Sequence, residues 1–313
     1  MDIAVRQATD DEAGFFQEHG WVRLPGLVGP EDVAALRERA LGHVTARARA
    51  TAGPDAAARE AAGAGAERRG TAGGGVAGPG VTGDGDVDSG VTGDGDVGSG
   101  VTGAGAVGRG ALVDRAFGQS RDIGESDELF GALALAAEMG RNAVRLLHGV
   151  RAVRVQVTNL LVKEVGEHGA TEFHQDFPWM PMDRSAMLTF WLALVDVPAD
   201  MGSLRFYSGS HRHGLLGRSF TRVGDDQLSQ HPWLKELELS PPLDLRAGDA
   251  TVHHALTVHG APANRRDSPR LSFTVTYFDA DALYTGTPYR QTDGLGLEVN
   301  RPFEHPRFPC LRP

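Results

Sequence analysis

The stretch EFHQDFPW, residues 172–179, places His174 and Asp176 two positions apart within apolar and proline-containing sequence. If the stretch is extended, both side chains project from the same face and can reach one point in space. A carboxylate in apolar surroundings must be paired or bind a metal, because otherwise it protonates. A hydrogen-bonded histidine–aspartate pair at a loop is the simple alternative. A divalent cation held by both side chains is the chemical hypothesis, and it needs a third ligand.

Candidates for that third ligand occur downstream in GDATVHHALTVHGAPAN, where His253, His254 and His259 share one strand-like run. Two histidines and one carboxylate on one side of a metal form the facial triad of non-haem iron(II) oxygenases, which leaves three coordination positions open. A structural zinc site is instead closed by a fourth protein ligand. One bidentate oxo acid and one dioxygen fill three positions, so the pattern favours an open ferrous site.

A cation suited to a dicarboxylic cosubstrate begins the last strongly β-like run, RLSFTVTYF, eleven residues after His259. In an extended strand, alternation puts Arg270 on one face together with Ser272, Thr274 and Thr276. An arginine can hold a carboxylate through paired N–H donors. A surface salt bridge is the alternative for Arg270 taken alone.

The elements that must position these residues are mostly strands. The β-type runs are RAVRVQVTNLLVK, AMLTFWLALVDVP, GSLRFYSGS, DATVHHALTVHG and RLSFTVTYFDA, and Pro, Gly and Asp turns separate them. Several such runs without helices between them favour a closed or double-layered antiparallel sheet. Upstream, WVRLPG predicts a short strand, a helix begins at about Pro30, and residues 127–150 fit one helical face.

Composition limits the location and the partners. The single cysteine, Cys310, rules out an internal disulfide and suits a reducing compartment. The N-terminus is acidic and lacks a signal-peptide layout, and no apolar run approaches the roughly 18 residues of a membrane span. The formal net charge of -10 disfavours nucleic acid and anionic membranes as partners. We therefore expect a soluble, cytoplasmic protein with a small-molecule partner; the oligomeric state stays open.

Residues from about 51 to 110 consist largely of Gly, Ala, Asp, Val and Thr, and a ten-residue unit recurs as GVTGDGDVDS, GVTGDGDVGS and GVTGAGAVGR. A calcium-binding β-roll is the alternative, but its repeats have a nine-residue period and need large apolar residues, whereas only valine is present here. The pattern predicts a single domain over residues 1–313 that is interrupted by a disordered, low-complexity insertion.

Taken in order, FHQD, MGSLRFYSGSHRHG, GDATVHHALTVHGAPAN and the arginine resemble the phytanoyl-CoA dioxygenase family of iron(II)- and 2-oxoglutarate-dependent oxygenases. The resemblance covers the chain on both sides of the insertion. It implies a mainly β fold with flanking helices around a double-stranded β-helix (jelly-roll, cupin-like) core. It also implies that the protein is an oxidoreductase that uses Fe(II), 2-oxoglutarate and O2.

The resemblance assigns His174, Asp176 and His259 as the catalytic iron ligands and Arg270 as the cation that grips the distal carboxylate of 2-oxoglutarate. Halogenating relatives replace the carboxylate ligand with a small residue so that halide can bind iron. Because Asp176 is present, hydroxylation is favoured over chlorination.

Four further residues are cosubstrate-pocket candidates by the same resemblance. Trp191 and Lys163 fall where relatives line the 2-oxoglutarate pocket; a core aromatic and a surface lysine are the alternatives. Gln156 and Asn159 lie on the strand that carries polar pocket residues, but their spacing to Lys163 departs from the family pattern. Either a bulge absorbs the difference or one of them points elsewhere.

Some residues depart from the family or fall outside its ligand set. Ala261 stands where many relatives have a serine that supports the cosubstrate carboxylate, which leaves more of that holding to the arginine. His253 and His254 are interpreted as supporting or core histidines. His211 and His213, in SGSHRHG, are interpreted as turn or pocket-wall residues.

The resulting hypothesis is a dioxygenase that hydroxylates an unactivated C–H bond of a small molecule. HQDFPWMPMDRS and GLLGRS resemble the small-molecule-modifying bacterial branch, which implies a secondary metabolite such as an antibiotic as substrate. Phe177, Trp179 and Met182 are candidate substrate walls, with lid packing as the alternative. Desaturation, cyclisation and epimerisation by the same oxidant stay open, as do a catalytically silent jelly-roll binder and a zinc hydrolase that uses the same three ligands.

Overall fold

The computed structural model describes residues 3–63, 117–166, 168–219 and 226–312. The chain divides into two units, residues 1–44 with 107–313 and residues 45–106. A helix begins at Pro30, as expected, and it continues to Gly63, into residues that the sequence assigns to the insertion. The repeats predicted to be disordered lie outside the described residues. The interrupted single domain therefore stays a prediction.

The helices and strands follow one another in a simple order. The helices are α1 (Asp10–His19), α2 (Pro30–Gly63), α3 (Ile123–Ser126), α4 (Glu128–Leu135), α5 (Ala137–Leu147) and α6 (Gln227–Gln230). The strands are β1 (Trp21–Leu24), β2 (Gly118–Arg121), β3 (Val153–Lys163), β4 (Thr171–His174), β5 (Met187–Ala193), β6 (Arg205–Phe206), β7 (Ala250–His254), β8 (His259–Ala261), β9 (Arg270–Asp279) and β10 (Cys310–Leu311). Within the described ranges, none of the helices combines the length and the apolar character needed to span a bilayer.

The strands form two antiparallel sheets. The larger sheet has the order β1-β7-β5-β9-β3-β10, with β2 also paired to β3, and the smaller sheet has the order β4-β8-β6. Every pair is antiparallel. This is the double-layered antiparallel arrangement that the β-type runs predict.

The larger sheet has one apolar and one polar face, because side chains alternate along each strand. Its apolar face packs against the helices in one core, which contains Leu160, Phe190, Phe273 and the helical Phe130. The other face carries the polar side chains of β9 and their neighbours on β3 and β5. The helices thus cover one face and leave the polar face to the smaller sheet, where the site lies.

Residues 127–150 form two helices rather than the one continuous helix that the apolar spacing predicts. Asp127 caps α4, since its side chain accepts hydrogen bonds from the backbone of the first turn. At Ala136 the backbone becomes extended, with ψ 133°, and α5 begins at the next residue. The break allows both segments to bury apolar residues, including Leu133 of α4 and Leu146 of α5, in the core on the larger sheet.

The sequence predicts one strand over the histidine-rich run from Ala250 to Ala261. The structure instead has two strands there, and they lie in different sheets. β7 ends at His254 in the larger sheet, and β8 begins at His259 in the smaller one. The turn between them is closed by a hydrogen bond from Thr257 N to the His254 carbonyl, 2.8 Å. This turn carries the chain from one sheet to the other.

Candidate active site

Three side chains from two distant segments of the chain meet between the two sheets. One ligand atom each of His174, Asp176 and His259 lies within 4.8 Å of the others. Asp176 Oδ1 is 3.7 Å from His174 Nε2 and 3.9 Å from His259 Nε2. His174 and His259 are direct cross-strand partners of β4 and β8, so strand register fixes their proximity.

Asp176 reaches this point from a turn rather than from a strand. The prediction that EFHQD is extended throughout is wrong, because β4 ends at His174 and Asp176 has helical φ and ψ of -77° and -38° at the start of a 3-10 turn, Phe177–Trp179. The amides of Asp176 and Phe177 both donate to the carbonyl of Ala255, at 3.0 and 3.1 Å. This shared acceptor ties the turn to the one between β7 and β8 and holds the carboxylate beside His259.

The two histidines of the triad are oriented for metal binding by backbone carbonyls. His174 Nδ1 lies 2.7 Å from the carbonyl oxygen of Glu172, and His259 Nδ1 lies 3.0 Å from that of Thr257. A carbonyl only accepts, so each Nδ1 carries the proton and each Nε2 keeps its lone pair. A hydrogen bond of this kind commonly fixes the tautomer and ring angle of a metal ligand.

Burial and mutual proximity set the charges of the triad. Burial, followed by His253 and His174, lowers the pKa of His259 well below its usual value. Burial alone raises the pKa of Asp176, but the proximity of His259 and a hydrogen bond from His253 outweigh it, so the pKa lies below its usual range. A neutral imidazole beside an ionised carboxylate is the state in which both bind a divalent cation.

A second group of side chains, from Lys163, Arg270 and Trp191, lies on the face of the larger sheet that is turned toward the triad. Lys163 and Arg270 are register partners on β3 and β9 and are 0% and 2% exposed. Burial lowers the pKa of Arg270 to about 10, and burial followed by the charge of Arg270 lowers the pKa of Lys163 to about 7. Within the described ranges no carboxylate offsets either cation. A surface lysine and a surface salt bridge are therefore both excluded.

The contacts of the two cations are uncharged. Trp191 is buried, and its ring centroid lies 5.1 Å from the Arg270 Cζ. Arg270 Nη1 donates to the carbonyl of Gly202, whereas its buried Nε has no partner among the described residues. Lys163 Nζ donates to the Pro262 carbonyl at 3.1 Å and to Thr171 Oγ1 at 3.3 Å. Two buried cations that contact only neutral groups are suited to bind an anion.

Only glycine fits at position 202, beside these cations. Gly202 has φ 84°, a left-handed value, and a Cβ there would lie 2.6 Å from the carbonyl oxygen of Pro262. The Gly202 carbonyl accepts from Arg270 and the Pro262 carbonyl accepts from Lys163, so the close approach of these two backbone segments positions both cations.

The structure resolves the unusual spacing on β3. A β-bulge lies between Val155 and Val157 with Gln156 as the inserted residue, so both alternatives hold: a bulge is present, and Gln156 itself points elsewhere. Gln156 Nε2 donates to the hydroxyl of Tyr289 at 3.0 Å. Asn159 lies four residues along the strand from Lys163, on the same face and opposite Thr274. Asn159 therefore faces the site, whereas Gln156 is engaged with the C-terminal segment.

His211, His213 and His254 lie away from the triad. His211 and His213 fall in a short 3-10 turn, where His211 Nε2 contacts the Gln17 carbonyl at 3.3 Å and the ring of His213 packs on Trp233. The ring of His254 faces His211 at 5.7 Å. None of these rings belongs to the group that could hold a metal.

The candidate wall residues follow directly after Asp176. Phe177 and Met182 are buried in one apolar cluster, as the lid-packing alternative expects. The ring centroid of Trp179 lies 4.7 Å from the Arg218 guanidinium carbon. Trp179 is half-buried, unlike Phe177 and Met182.

Three contributors to the site carry weak sequence signals. Gln175 is 1% exposed and joins the turn to two loops, since its amide binds the carbonyls of Gly214 and Leu256 and accepts from Leu216 N. Its position between the two ligands already predicts that it points away from them. Thr171 lies opposite Ala261 in register, so a hydroxyl is present near Lys163 although position 261 lacks one. The contact of His253 with Asp176 has no sequence signal.

The residues present fit an octahedral ferrous ion together with a dicarboxylate. Two imidazole nitrogens and one carboxylate oxygen converge from one side, and two unneutralised cations lie on the same sheet face. The double-stranded β-helix and this donor set define the class of 2-oxoglutarate-dependent non-haem iron oxygenases.

Comparison with known proteins identifies the family within that class. Residues 108–272, more than half of the chain, match the model of the phytanoyl-CoA dioxygenase (PhyH) family. The chain belongs to the phytanoyl-CoA dioxygenase family. It is 26% identical over 144 residues to phytanoyl-CoA dioxygenase 1 of Oryza sativa subsp. japonica, which covers 45% of this chain and 51% of the rice protein. It is 31% identical over 121 residues to a mouse (Mus musculus) phytanoyl-CoA dioxygenase domain-containing protein 1, with 36% and 40% covered. The alignments thus span about half, or less, of these curated relatives.

Solved structures cover nearly the whole chain. The α-ketoglutarate-dependent carbocyclase SnoK from nogalamycin biosynthesis is 25% identical, with a TM-score of 0.67 and 98% of this chain and 99% of SnoK covered. The epimerase SnoN from the same biosynthesis is 26% identical, with a TM-score of 0.65 and 97% and 98% covered. EctD from S. alaskensis, at 16% identity and a TM-score of 0.57 over 88% and 78%, shares the fold. These similarities confirm the predicted fold class.

Proposed function

We propose that the protein is an Fe(II)- and 2-oxoglutarate-dependent dioxygenase that oxidises an unactivated C–H bond of a small molecule. The observation that carries the proposal is the pairing of an open His174–Asp176–His259 triad with buried cations that lack a carboxylate partner among the described residues. SnoN, whose structure is known with Fe3+, α-ketoglutarate and nogalamycin RO, supports the same cofactors.

The residues have distinct roles in this proposal. The Nε2 atoms of the two histidines and Oδ1 of Asp176 hold the ferrous ion. Arg270 and Lys163 bind the distal carboxylate of 2-oxoglutarate. The iron centre, with 2-oxoglutarate and O2, supplies the oxidant that removes hydrogen from the substrate and leaves succinate and CO2.

Neighbouring groups complete the cosubstrate pocket. The Thr171 hydroxyl replaces the serine hydroxyl that relatives carry at position 261, because Thr171 and Ala261 are cross-strand partners beside Lys163. The Trp191 ring packs against the Arg270 guanidinium, and Asn159 borders the pocket on the side of β3. The apolar residues around these groups exclude water and so strengthen each polar contact.

Hydroxylation of a secondary metabolite is the proposed reaction. SnoK and SnoN come from nogalamycin biosynthesis, which supports a secondary metabolite such as an antibiotic as substrate, and the ionised Asp176 leaves no halide position. Cyclisation or epimerisation is the second candidate, because those two relatives are named a carbocyclase and an epimerase. Turnover in 18O2 separates the candidates: a hydroxylated product carries 18O, whereas a cyclised or epimerised product does not.

The proposed location is the cytoplasm. The free thiol of Cys310 is part-exposed and pairs with no other cysteine, which suits a reducing compartment. We propose a small molecule as the only class of substrate, with neither nucleic acid nor membrane as a partner, since the net charge of -10 repels anionic polymers and lipids.

Succinate formation tests the proposed activity. Purified protein is supplied with 2-oxoglutarate and a panel of secondary metabolites that includes nogalamycin RO, with Fe(II) or Zn(II), in air or under argon. The proposal expects succinate only with Fe(II) and O2, and more of it with an accepted substrate. Oxygen-independent turnover with Zn(II) would indicate a hydrolase. Ligand binding without succinate over the whole panel would indicate a silent binder.

The pH dependence of 2-oxoglutarate affinity follows from Lys163. Burial and the neighbouring Arg270 lower the pKa of Lys163 to about 7, so the ammonium loses its proton above that pH unless an anion holds it. We expect the Kd for 2-oxoglutarate to be flat below pH 6 and to rise by up to roughly tenfold per pH unit above pH 7. Calorimetry across pH 5.5–9 measures this dependence.

The chain offers a matched control, because Lys163 and the exposed Lys235 are its only two lysines. Lys163→Met should weaken binding and flatten the profile, whereas Lys235→Met should change neither. Since the folded pKa lies below the unfolded one, the unfolded chain binds more protons between about pH 7 and 10, so stability without cosubstrate rises over that window. An unchanged pH profile in Lys163→Met would remove Lys163 from the pocket.

A further inference from the structure

The two oxygens of the Asp176 carboxylate have different surroundings. Oδ1 faces the histidine nitrogens of the triad, at 3.7 and 3.9 Å. Oδ2 faces the larger sheet, where His253 Nε2 lies 3.2 Å away and Thr189 Oγ1 lies 3.4 Å away. One oxygen is therefore directed at the position of a metal, and the other is occupied by protein donors.

His253 is built into this position. It is 2% exposed on β7, and its ring packs 4.0 Å from that of His259 and 5.7 Å from that of Phe206. Its Nδ1 is buried without a hydrogen-bond partner among the described residues. Because a carboxylate only accepts, the proton resides on Nε2, which donates to Asp176.

Thr189 adds a second donor to the same oxygen. It is the register partner of Thr276 in the β5–β9 pair, and the two hydroxyls lie 2.9 Å apart. A hydroxyl that donates to the Asp176 carboxylate is free to accept from Thr276, so the three groups form a directed chain. Both threonines lie on regular strands of the larger sheet, which makes this support rigid.

We propose that His253, assisted by Thr189, is a positioning residue that holds Oδ2 away from the metal and restricts Asp176 to ligation through one oxygen. The inference rests on the proposed role of Asp176 as an iron ligand. Carboxylates also bind metals through both oxygens. An aspartate that used both would occupy one of the three positions that 2-oxoglutarate and O2 require, so its restriction keeps the site open.

The test uses Mn(II), which binds such sites without oxygen turnover. The affinity for 2-oxoglutarate is measured on Mn(II)-loaded protein, and crystal structures of the loaded variants show how Asp176 binds the metal. His253→Leu removes the donor but keeps the bulk. We expect the Kd for 2-oxoglutarate to rise by about 10- to 100-fold, the cost of losing such outer support, and Asp176 to bind the metal through both oxygens. His253→Gln, whose amide can donate from a similar position, should recover most of the affinity and the single-oxygen geometry.

His213→Leu is the matched control, because that ring packs on Trp233 rather than near Asp176. Its Kd should equal that of the wild type. Wild-type affinity and single-oxygen ligation in His253→Leu would overturn the inference, as would an equal loss in His213→Leu. Should His253→Leu fail to fold, Thr189→Val carries the test: a weakened Kd supports the inference and an unchanged one overturns it. If wild-type protein itself binds no Mn(II) at the triad, the proposed function fails instead.

Discussion

Replacing Arg270 with methionine is expected to raise the melting temperature of the cosubstrate-free protein and to weaken 2-oxoglutarate binding by about 100-fold. The guanidinium is buried beside a second cation and contacts a carbonyl and an aromatic ring, so the folded chain bears the cost of an unneutralised charge. An apolar side chain of similar length removes that cost. Binding weakens because methionine cannot donate to the carboxylate of 2-oxoglutarate, and each hydrogen bond to a charged group contributes about 1.5–3 kcal/mol to the binding free energy.

The two effects are measured on the same variant. Thermal unfolding in a buffer free of di- and tricarboxylates gives the change in stability, and calorimetry gives the affinity. Arg151→Met is the control, since Arg151 is 90% exposed and pairs with Asp281 only at 3.8 Å. A lower melting temperature with unchanged affinity would show that Arg270 serves the fold and not a ligand.

Removing one histidine of the triad is expected to abolish Fe(II)-dependent succinate formation. In His259→Ala the loss should exceed the roughly 10- to 100-fold typical of residues that only support a ligand, because two donors cannot hold the ion against water. Bound iron, measured by equilibrium dialysis, should fall from one per chain to a small fraction. His213→Ala is the control, since that ring packs on Trp233 outside the triad. Full iron occupancy in His259→Ala would place the metal elsewhere.

Sequence reasoning identified the chemistry of the site because that chemistry depends on residue type and order. His174, Asp176, His259 and Arg270 were recognisable from two short motifs and one fixed offset, and the structure brings the first three together. The alternation along β9 likewise predicts the face on which Arg270 lies, since side-chain direction in a strand has a period of two.

The features that the sequence did not predict depend on contacts between distant segments. The Asp176 turn is set by the carbonyl of Ala255, which lies on the far turn between the sheets. The role of His253 depends on where β7 ends, because the histidine run divides between two sheets. The sequence offers the bulge at Gln156 only as one of two alternatives, since a one-residue insertion changes register without a distinct composition.

The helix break shows the same limit at the level of packing. The apolar spacing over residues 127–150 is compatible with one long helix, and Ala136 is itself a strong helix former. The extended backbone at that residue lets α4 and α5 both cover the larger sheet, which outweighs local preference. Tertiary contacts therefore decided where the helix ended.

A crystal structure of the protein prepared without oxygen, with Fe(II) and 2-oxoglutarate, tests whether the triad and the two buried cations form one cofactor site. We expect one ferrous ion held by His174, Asp176 and His259 alone, with 2-oxoglutarate bound to the ion and its distal carboxylate in contact with Arg270 and Lys163. A fourth protein ligand that closes the coordination sphere, such as His253, would contradict it. So would a dicarboxylate bound away from the buried cations.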